Sequence, residues 1–233
     1  MSLQGQVVLI TGAAGSLGRA VAEAFHAAGW KQVLVDVSQA VLDKSYAADP
    51  SRLSLAVNLL DAEATSQAVS KAHAQFGRID ALCNIAGGFT MGTAVHATPA
   101  EIWKQMMDLN AGTMLHTVQA VVPKMLAAGG GRIVNIGAGA GQKAGGLMGA
   151  YSVSKSAVIR MTEAMSAELR EQGINVNCVL PSIIDTAPNR AAMPDADFSK
   201  WVAPRDLASV ILFLCSDSAK AVHGVALPVV GLS

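Results

Sequence analysis

The amino-acid sequence predicts an α/β fold: a doubly wound parallel sheet of about seven strands with helices on both faces. Short β-rich runs alternate with helical patterns from one end of the chain to the other. The first run, Gln6–Thr11, is mainly apolar, as expected of a strand buried on both faces of a sheet. No linker, repeat or low-complexity segment interrupts this alternation, so residues 1–233 are interpreted as one domain of right-handed topology.

The bounds of the strands and helices can be predicted from the sequence. The predicted strands are Gln6–Thr11, Lys31–Asp36, Arg52–Val57, Ala81–Asn84, Ile133–Ile136, Asn175–Leu180 and Val225–Val229. The predicted helices cover about 16–28, 62–76, 99–127, 151–171 and 204–215. Gly29 is expected to end the first helix, and Asp61 to cap the second. Thr98 is predicted as the N-cap of the third, with Pro99 at its first helical position.

The composition restricts the possible partners of the protein. Hydrophobic residues make up 52% of the chain and charged residues 15%, which suggests that some apolar surface is buried in an oligomer, although a large core alone would account for part of this balance. The expected assembly is a homodimer or homotetramer. Lys plus Arg and Asp plus Glu number 17 each, for a net charge of +0. No basic patch stands out, so nucleic acid is not an expected partner.

The sequence also argues against export, membrane insertion and a metal site. Residues 1–6 lack the basic and apolar features of a signal peptide, and no apolar stretch approaches the roughly 20 residues of a membrane span. The cysteines, Cys83, Cys178 and Cys215, are far apart and lack metal-ligand spacing. We interpret Cys83 and Cys178 as small buried hydrophobic residues, and the protein as cytoplasmic.

Three glycines, Gly12, Gly15 and Gly18, lie between the first strand and the first helix. Glycine permits a tight turn and lets the backbone approach a pyrophosphate, which the helix N-terminus then attracts. A packing requirement of the turn alone would also explain the three glycines. Asp36, at the end of the second strand, favours a dinucleotide site of the Rossmann type, because its carboxylate can accept hydrogen bonds from the adenosine ribose.

Asp36 further predicts that NAD(H) is preferred over NADP(H). A carboxylate at the ribose repels a 2′-phosphate, and Val37-Ser38 supplies no arginine to compensate. Asp36 could also cap a helix that starts near Ser38, and this role is compatible with cofactor binding.

Tyr151 and Lys155 are four residues apart near the start of a predicted helix and therefore share one of its faces. An ammonium beside a phenol stabilises the phenolate, which predicts a Tyr151 pKa below the usual value of about 10. The pair would then act as a proton donor near neutral pH. Ordinary surface residues of a helix are the alternative interpretation.

The segment Thr11–Gly18 and the Tyr151–Lys155 pair together resemble the short-chain dehydrogenase/reductase family. The resemblance covers nearly the whole chain. It implies that Lys155 binds the nicotinamide ribose and that Tyr151 passes a proton to a small-molecule substrate. It also implies that Asn110 helps to hold the lysine through a water, although a polar residue that satisfies a backbone kink is the alternative for Asn110.

The resemblance implies a full set of cofactor-binding residues. Asn58-Leu59 would border the adenine, and the stretch from Pro181 to Thr186 would cover the nicotinamide. The loops 88–97 and 137–149 and a substrate loop at about 182–201 would wall the site. The set is Gly12, Gly15, Ser16, Leu17, Gly18, Asp36, Asn58, Leu59, Asn84, Ala86, Gly87, Tyr151, Lys155, Pro181, Ile184 and Thr186.

The chain departs from the family pattern at a few positions. Ala138 stands where the family has the serine that holds the substrate carbonyl, thirteen residues before Tyr151. Ser16 replaces a glycine of the turn, Ile85 replaces an asparagine, and Ser182 stands at a usual glycine position. The cofactor machinery is therefore expected to be complete and the substrate machinery altered.

These departures leave more than one function open. The primary expectation is an NAD(H)-dependent enzyme acting on a small carbonyl or alcohol, or on a conjugated ring. Dihydropteridine reductases lack the same serine and resemble this chain in patches, most specifically over 180–201, which suggests a quinonoid dihydropteridine as the specific substrate. A non-catalytic dinucleotide-binding regulator or scaffold is the alternative, although the retained Tyr151 and Lys155 argue against it.

Overall fold

The computed structural model describes residues 5–233, which form a single seven-stranded sheet. All neighbouring strands are parallel, and their order is β3-β2-β1-β4-β5-β6-β7. The strands are β1 Val7–Thr11, β2 Lys31–Asp36, β3 Arg52–Ala56, β4 Ala81–Asn84, β5 Gly131–Ile136, β6 Ile174–Pro181 and β7 Ala226–Val229. The predicted doubly wound fold is confirmed.

Helices cover both faces of the sheet. They are α1 Ser16–Ala27, α2 Gln39–Ser45, α3 Ala62–Phe76, α4 Ala100–Met107, α5 Thr113–Ala127, α6 Gly149–Leu169, α7 Ala187–Ala192 and α8 Pro204–Leu214. Helices α1 and α8 pack together on one face, whereas α3 packs with α5, and α4 with α6, on the other. The helix that carries Tyr151 thus lies against β5 and β6.

Strand β1 shows why the central strands are apolar on both faces. Val7 and Leu9 belong to the core beneath α3, α5 and α6, while Val8 and Ile10 belong to the core beneath α1 and α8. All four side chains are at most 1% exposed. Burying a side chain of this size stabilises a fold by roughly 1.5–3 kcal/mol, so the strand contributes to both cores at once.

The sequence placed the strands more accurately than the helix boundaries. Strands β2 and β4 have the predicted bounds, and Asp61 caps α3 by accepting a hydrogen bond from the Ala64 amide at 3.0 Å. The prediction that Thr98 caps the third helix is wrong. Its hydroxyl donates to the Ala94 carbonyl at 3.1 Å, in a preceding turn, and Pro99 occupies the N-cap position.

One helix of the sequence prediction is two helices in the structure. A π-turn, Asp108–Gly112, separates α4 from α5. Extra residues of this kind in a helix are frequent at functional sites. The short helix α2 is the one that the sequence indicated near Ser38, whereas α7 was not among the predicted elements.

The strand order places the functional loops at one edge of the sheet. The chain moves outward from β1 to β3, and then returns to β4 on the other side of β1. The loops after β1 and β4 therefore diverge at the carboxyl edge, which creates the crevice where ligands bind in such folds. Within residues 5–233, no helix is long and apolar enough to cross a membrane.

Candidate active site

The glycine turn connects β1 to α1 and lies against the loop after β4. Gly12 has a φ of +62°, and a Cβ atom there would lie 2.9 Å from the amide nitrogen of Ala86. The Thr11 hydroxyl accepts hydrogen bonds from the amides of Ile85 and Ala86 at 3.0 and 3.1 Å. Gly12 is therefore required by the close approach of the two loops as well as by its backbone angle.

The start of α1 is suited to an anion. Its N-cap, Gly15, is exposed and has no side chain with which to bind the first-turn amides. These amides have no acceptor within the helix, and they carry the positive end of its dipole. Gly18 lets the helix approach the turn, since a Cβ there would lie 2.2 Å from the Gly12 oxygen. A pyrophosphate fits this arrangement through the backbone of Gly15, Ser16 and Leu17.

Asp36 lies at the predicted position beside a cavity of about 200 Å³. Its carboxylate accepts hydrogen bonds from the Ala14 amide at 2.9 Å and the Val37 amide at 2.8 Å. Asn58 and Leu59, which were expected to border an adenine, line the same cavity. Ser38 caps α2 through a bond from the Val41 amide, so Asp36 does not have the capping role considered above.

Asn84 lies behind the site. Its side-chain nitrogen donates to Asn135 at 2.9 Å, and its oxygen accepts from Thr117 at 2.7 Å, with all three side chains buried. The parallel register pairs Asn84 with Asn135, so both side chains point between the sheet and its helices. The structure thus does not place the Asn84 side chain in the Asp36 cavity or in the cavity beside Tyr151, and its described bonds join β4 to β5 and α5.

The same loop brings Ala86 and Gly87 to the cavity wall. Ala86 lines the Asp36 cavity, and Gly87 lines both this cavity and the one beside Tyr151. A Cβ atom on Gly87 would lie 2.6 Å from the Asn110 oxygen and 3.4 Å from the Lys155 nitrogen. Glycine is therefore needed where the Asp36 cavity meets the cavity that contains Tyr151 and Lys155.

Asn110 lies in the π-turn and is 2% exposed. Its oxygen accepts from the Gly88 amide at 3.0 Å, and its nitrogen donates to the Gly88 carbonyl at 3.1 Å and to the Ser154 hydroxyl at 3.0 Å. Asn110 lies in a backbone irregularity, as one interpretation from the sequence expects, whereas its hold on Lys155 through a water stays a prediction. Its described bonds join the β4 loop to α6.

Lys155 is buried on α6, and its ammonium nitrogen donates to the Ile136 carbonyl at 2.8 Å. Burial lowers the pKa of Lys155 to about 8, because the charged form is poorly solvated. Two of its hydrogens remain for other acceptors.

Tyr151 lies one turn before Lys155 on α6, and both residues line the same cavity. Its ring contacts Phe89 edge to face, with centroids 4.8 Å apart. Burial raises the pKa of Tyr151 to about 12, so the lowered pKa predicted from the sequence is wrong for this structure. The Lys155 ammonium faces the β5 carbonyl, and desolvation of the phenol dominates. Tyr151 therefore retains its proton at neutral pH.

The cavity beside Tyr151 and Lys155 has a volume of about 380 Å³. Pro181 and Ile184 line it as predicted, whereas Thr186 does not, because Thr186 caps α7 by accepting from the Asn189 amide at 3.3 Å. Its further lining includes Phe89, Ile183, Asn189 and Met193, which the sequence did not single out but which lie in the predicted wall loops 88–97 and 182–201. The position of Phe89 soon after β4 would have been enough to predict that Phe89 lines the site. Met193 reaches the cavity from the loop after the unpredicted helix α7.

Comparisons with known proteins show the family of the chain. The family model described as short chain dehydrogenase matches residues 6–197. The fold and the site together define a dinucleotide-dependent oxidoreductase, and the chain belongs to the short-chain dehydrogenase/reductase family.

Relatives and solved structures cover almost the whole chain. It is 33% identical to an NAD-dependent glycerol dehydrogenase of Listeria innocua, over 94% of this chain and 90% of the relative. It is 32% identical to a 3-oxoacyl-[acyl-carrier-protein] reductase of Thermotoga maritima, over 96% of both. The structure of carveol dehydrogenase from Mycobacterium avium in complex with NAD is 30% identical, with a TM-score of 0.90 over 99% of this chain and 98% of that one.

The free energy of unfolding of a Lys155→Met variant should show that the Lys155 ammonium is buried at a cost to stability. The folded state disfavours the ammonium, so at pH 7 Lys155→Met should be more stable than the wild type. Between pH 8 and 10.5 the unfolded wild type binds more protons than the folded one, so its stability rises there and the difference shrinks by about 3 kcal/mol. Urea unfolding from pH 7 to 10.5 measures this, with the exposed Lys143→Met as the control. A constant difference across that range would contradict the assignment.

Proposed function

We propose that this protein is an NAD(H)-dependent oxidoreductase that interconverts a small, uncharged alcohol and its carbonyl compound. The observation that carries the proposal is the position of Tyr151 and Lys155 in one cavity that adjoins the Asp36 cavity at Gly87. A bound dinucleotide would occupy both cavities, with its adenosine beside Asp36 and its nicotinamide ribose beside Lys155.

The residues have separate roles in this proposal. A bound nicotinamide supplies or accepts the hydride. Lys155 binds the ribose hydroxyls with the hydrogens that Ile136 does not use, and Asn110 fixes the β4 loop against α6. Tyr151 donates its proton to the substrate oxygen during carbonyl reduction. Because its phenol is protonated at neutral pH, it is ready for that direction.

The lining of the Tyr151 cavity supports an uncharged substrate. Of the described residues that line it, Lys155 alone is charged, and most of the others are apolar or glycine. The names of the relatives point the same way, since they include dehydrogenases of glycerol, sorbitol, galactitol and carveol.

A quinonoid dihydropteridine is a second candidate substrate, and Ala138 favours it. Hydride transfer to a conjugated ring spreads the developing charge over several atoms, so a hydrogen bond to one oxygen matters less than in a ketone. Ala138 provides no such bond from its own side chain. A non-catalytic dinucleotide-binding regulator is less well supported, because a binding role does not require the proton of Tyr151.

We expect the wild type to bind NADH more tightly than NADPH. The Asp36 carboxylate repels a 2′-phosphate, and no lysine or arginine within residues 5–233 lines its cavity. Asp36→Asn keeps the size of the side chain and removes the charge, so it should lower the NADH-to-NADPH affinity ratio by about tenfold, or roughly 1.4 kcal/mol. Titration calorimetry measures both constants, and Asp43→Asn on α2 is the matched control. Equal or tighter binding of NADPH by the wild type would refute the preference.

Turnover should depend on the Tyr151 hydroxyl. Tyr151→Phe should reduce kcat by at least about 100-fold and leave NADH affinity close to that of the wild type, because the hydroxyl serves proton transfer. The substrates are glycerol, xylitol and carveol with NAD⁺, and a quinonoid dihydropterin with NADH. Ser152→Ala is the control, since Ser152 is the buried neighbour and lines neither cavity. Full activity of Tyr151→Phe would require another proton donor, and a wild type inactive on the whole panel would favour the regulator.

We further propose that α4, α5 and α6 form an interface between copies of this chain. Trp103, Leu115 and Val153 lie on these helices and are 46%, 40% and 44% exposed. Apolar surface of this kind is costly to leave in water. Light scattering at micromolar concentration should give the mass of a dimer or tetramer. The mass of a single chain, 23.9 kDa, would contradict the proposal.

A further inference from the structure

Ala138 has no hydroxyl group, but two serine residues line the same cavity. Ala138 is 6% exposed and lines a cavity of about 300 Å³ next to Tyr151. Among the described residues that line this cavity, Ser182 and Ser233 carry the side-chain hydroxyls other than that of Tyr151. A substrate oxygen that reaches Tyr151 from this side has these two groups as its candidates for a second side-chain hydroxyl donor.

Ser182 is the better placed of the two serines. It follows β6 directly and lines both the 300 Å³ cavity and the neighbouring 380 Å³ cavity that contains Lys155. Ser233 lines only the first of these. Ser182 and Tyr151 thus line the same two cavities.

The serines near Tyr151 in sequence do not compete for this role. Ser152 and Ser154 are 3% and 0% exposed and line neither cavity. The Ser154 hydroxyl donates to the Tyr151 carbonyl at 2.7 Å and accepts from Asn110 at 3.0 Å. It is therefore used within the helix packing.

The Ser182 hydroxyl can donate its hydrogen bond to a substrate, because the Val230 carbonyl that now accepts it has other donors within reach. The Val230 carbonyl is within reach of the Ser182 hydroxyl at 2.8 Å, the Ser233 hydroxyl at 3.1 Å and the Ser233 amide at 3.2 Å. A carbonyl oxygen has two lone pairs, so one of these donors is not needed. The two serine oxygens are themselves 2.8 Å apart, and Ser233 can donate to Ser182. Ser182 can then turn its proton to a substrate while its oxygen stays in place.

We propose that the Ser182 hydroxyl donates a hydrogen bond to the substrate oxygen beside Tyr151, in place of the side chain that is missing at Ala138. This inference rests on the proposed oxidoreductase function and narrows its substrate class. A donor at this point stabilises charge on one oxygen, so it favours a simple ketone or secondary alcohol over a delocalised ring. Ser182 makes no covalent bond and keeps its proton, while Tyr151 transfers the proton.

Four proteins test the proposal: wild type, Ser182→Ala, Ala138→Ser and the double variant. Each is assayed with carveol, glycerol and xylitol and NAD⁺, and with a quinonoid dihydropterin and NADH. Ser182→Ala should lower kcat/KM for the best alcohol by about 100-fold, the usual effect of removing one oxyanion donor, and should leave NADH affinity within about twofold. Adding Ala138→Ser to it should restore at least about tenfold, because a donor returns to the same oxygen.

The activity regained by adding Ala138→Ser to Ser182→Ala shows whether Ser182 acts as a hydrogen-bond donor or only supports the structure. A loss that Ala138→Ser does not restore, or alcohol activity within about threefold of the wild type in Ser182→Ala, would overturn the inference. In both cases the proposed function would stand if Tyr151→Phe is inactive. Wild-type turnover of the pterin alone would also overturn the inference, because no localised oxygen would then need a donor. A wild type without any turnover would overturn both.

Discussion

The amide of Asn110 holds the site together, because it joins three elements at one point. Its hydrogen bonds to both backbone groups of Gly88 fix the β4 loop to the π-turn, and its bond to Ser154 fixes the turn to α6. A buried amide that lost such partners would cost about 1–3 kcal/mol per group. Asn110 therefore favours a single arrangement of these elements. Lys155 follows Ser154 directly on α6, so the position of its ammonium depends on the same bonds.

This constraint explains features that are otherwise unrelated. The π-turn presents Asn110 to the loop, and Gly87 must lack a side chain because Asn110 occupies the space a Cβ would need. On the other side of the loop, Thr11 binds the amides of Ile85 and Ala86, which ties β4 to the glycine turn. The Asp36 cavity and the cavity of Tyr151 and Lys155 are thus set by one continuous network of short-range contacts. The loop after β6 is held differently, mainly by its own pairs, such as Arg190 with Asp185 and Phe198.

The sequence predicted the parts of this arrangement that depend on local signals. Buried strands such as β2 and β4 have strong apolar patterns, and glycines, acidic caps and the Tyr151–Lys155 spacing mark their own positions. The π-turn and the orientation of Asn84 could not be predicted, because they follow from contacts with distant residues such as Asn135 and Thr117. The pKa of Tyr151 was predicted in the wrong direction for the same reason. Spacing on a helix brings two groups near each other, but burial and the Ile136 carbonyl decide their charge.

Burial of Lys155 and Tyr151 has a further consequence for ligand binding. The ammonium is held in a poorly solvated place with one carbonyl partner, which is why its pKa falls to about 8. A ligand that brings hydroxyl oxygens to the remaining hydrogens would supply the acceptors that burial removed. A ligand without them would enclose the charge further and leave those hydrogens unpaired. The same desolvation that disfavours the free ammonium therefore favours a ligand with hydroxyl oxygens over an apolar one, so in the proposed function cofactor binding and the protonation of Lys155 are linked.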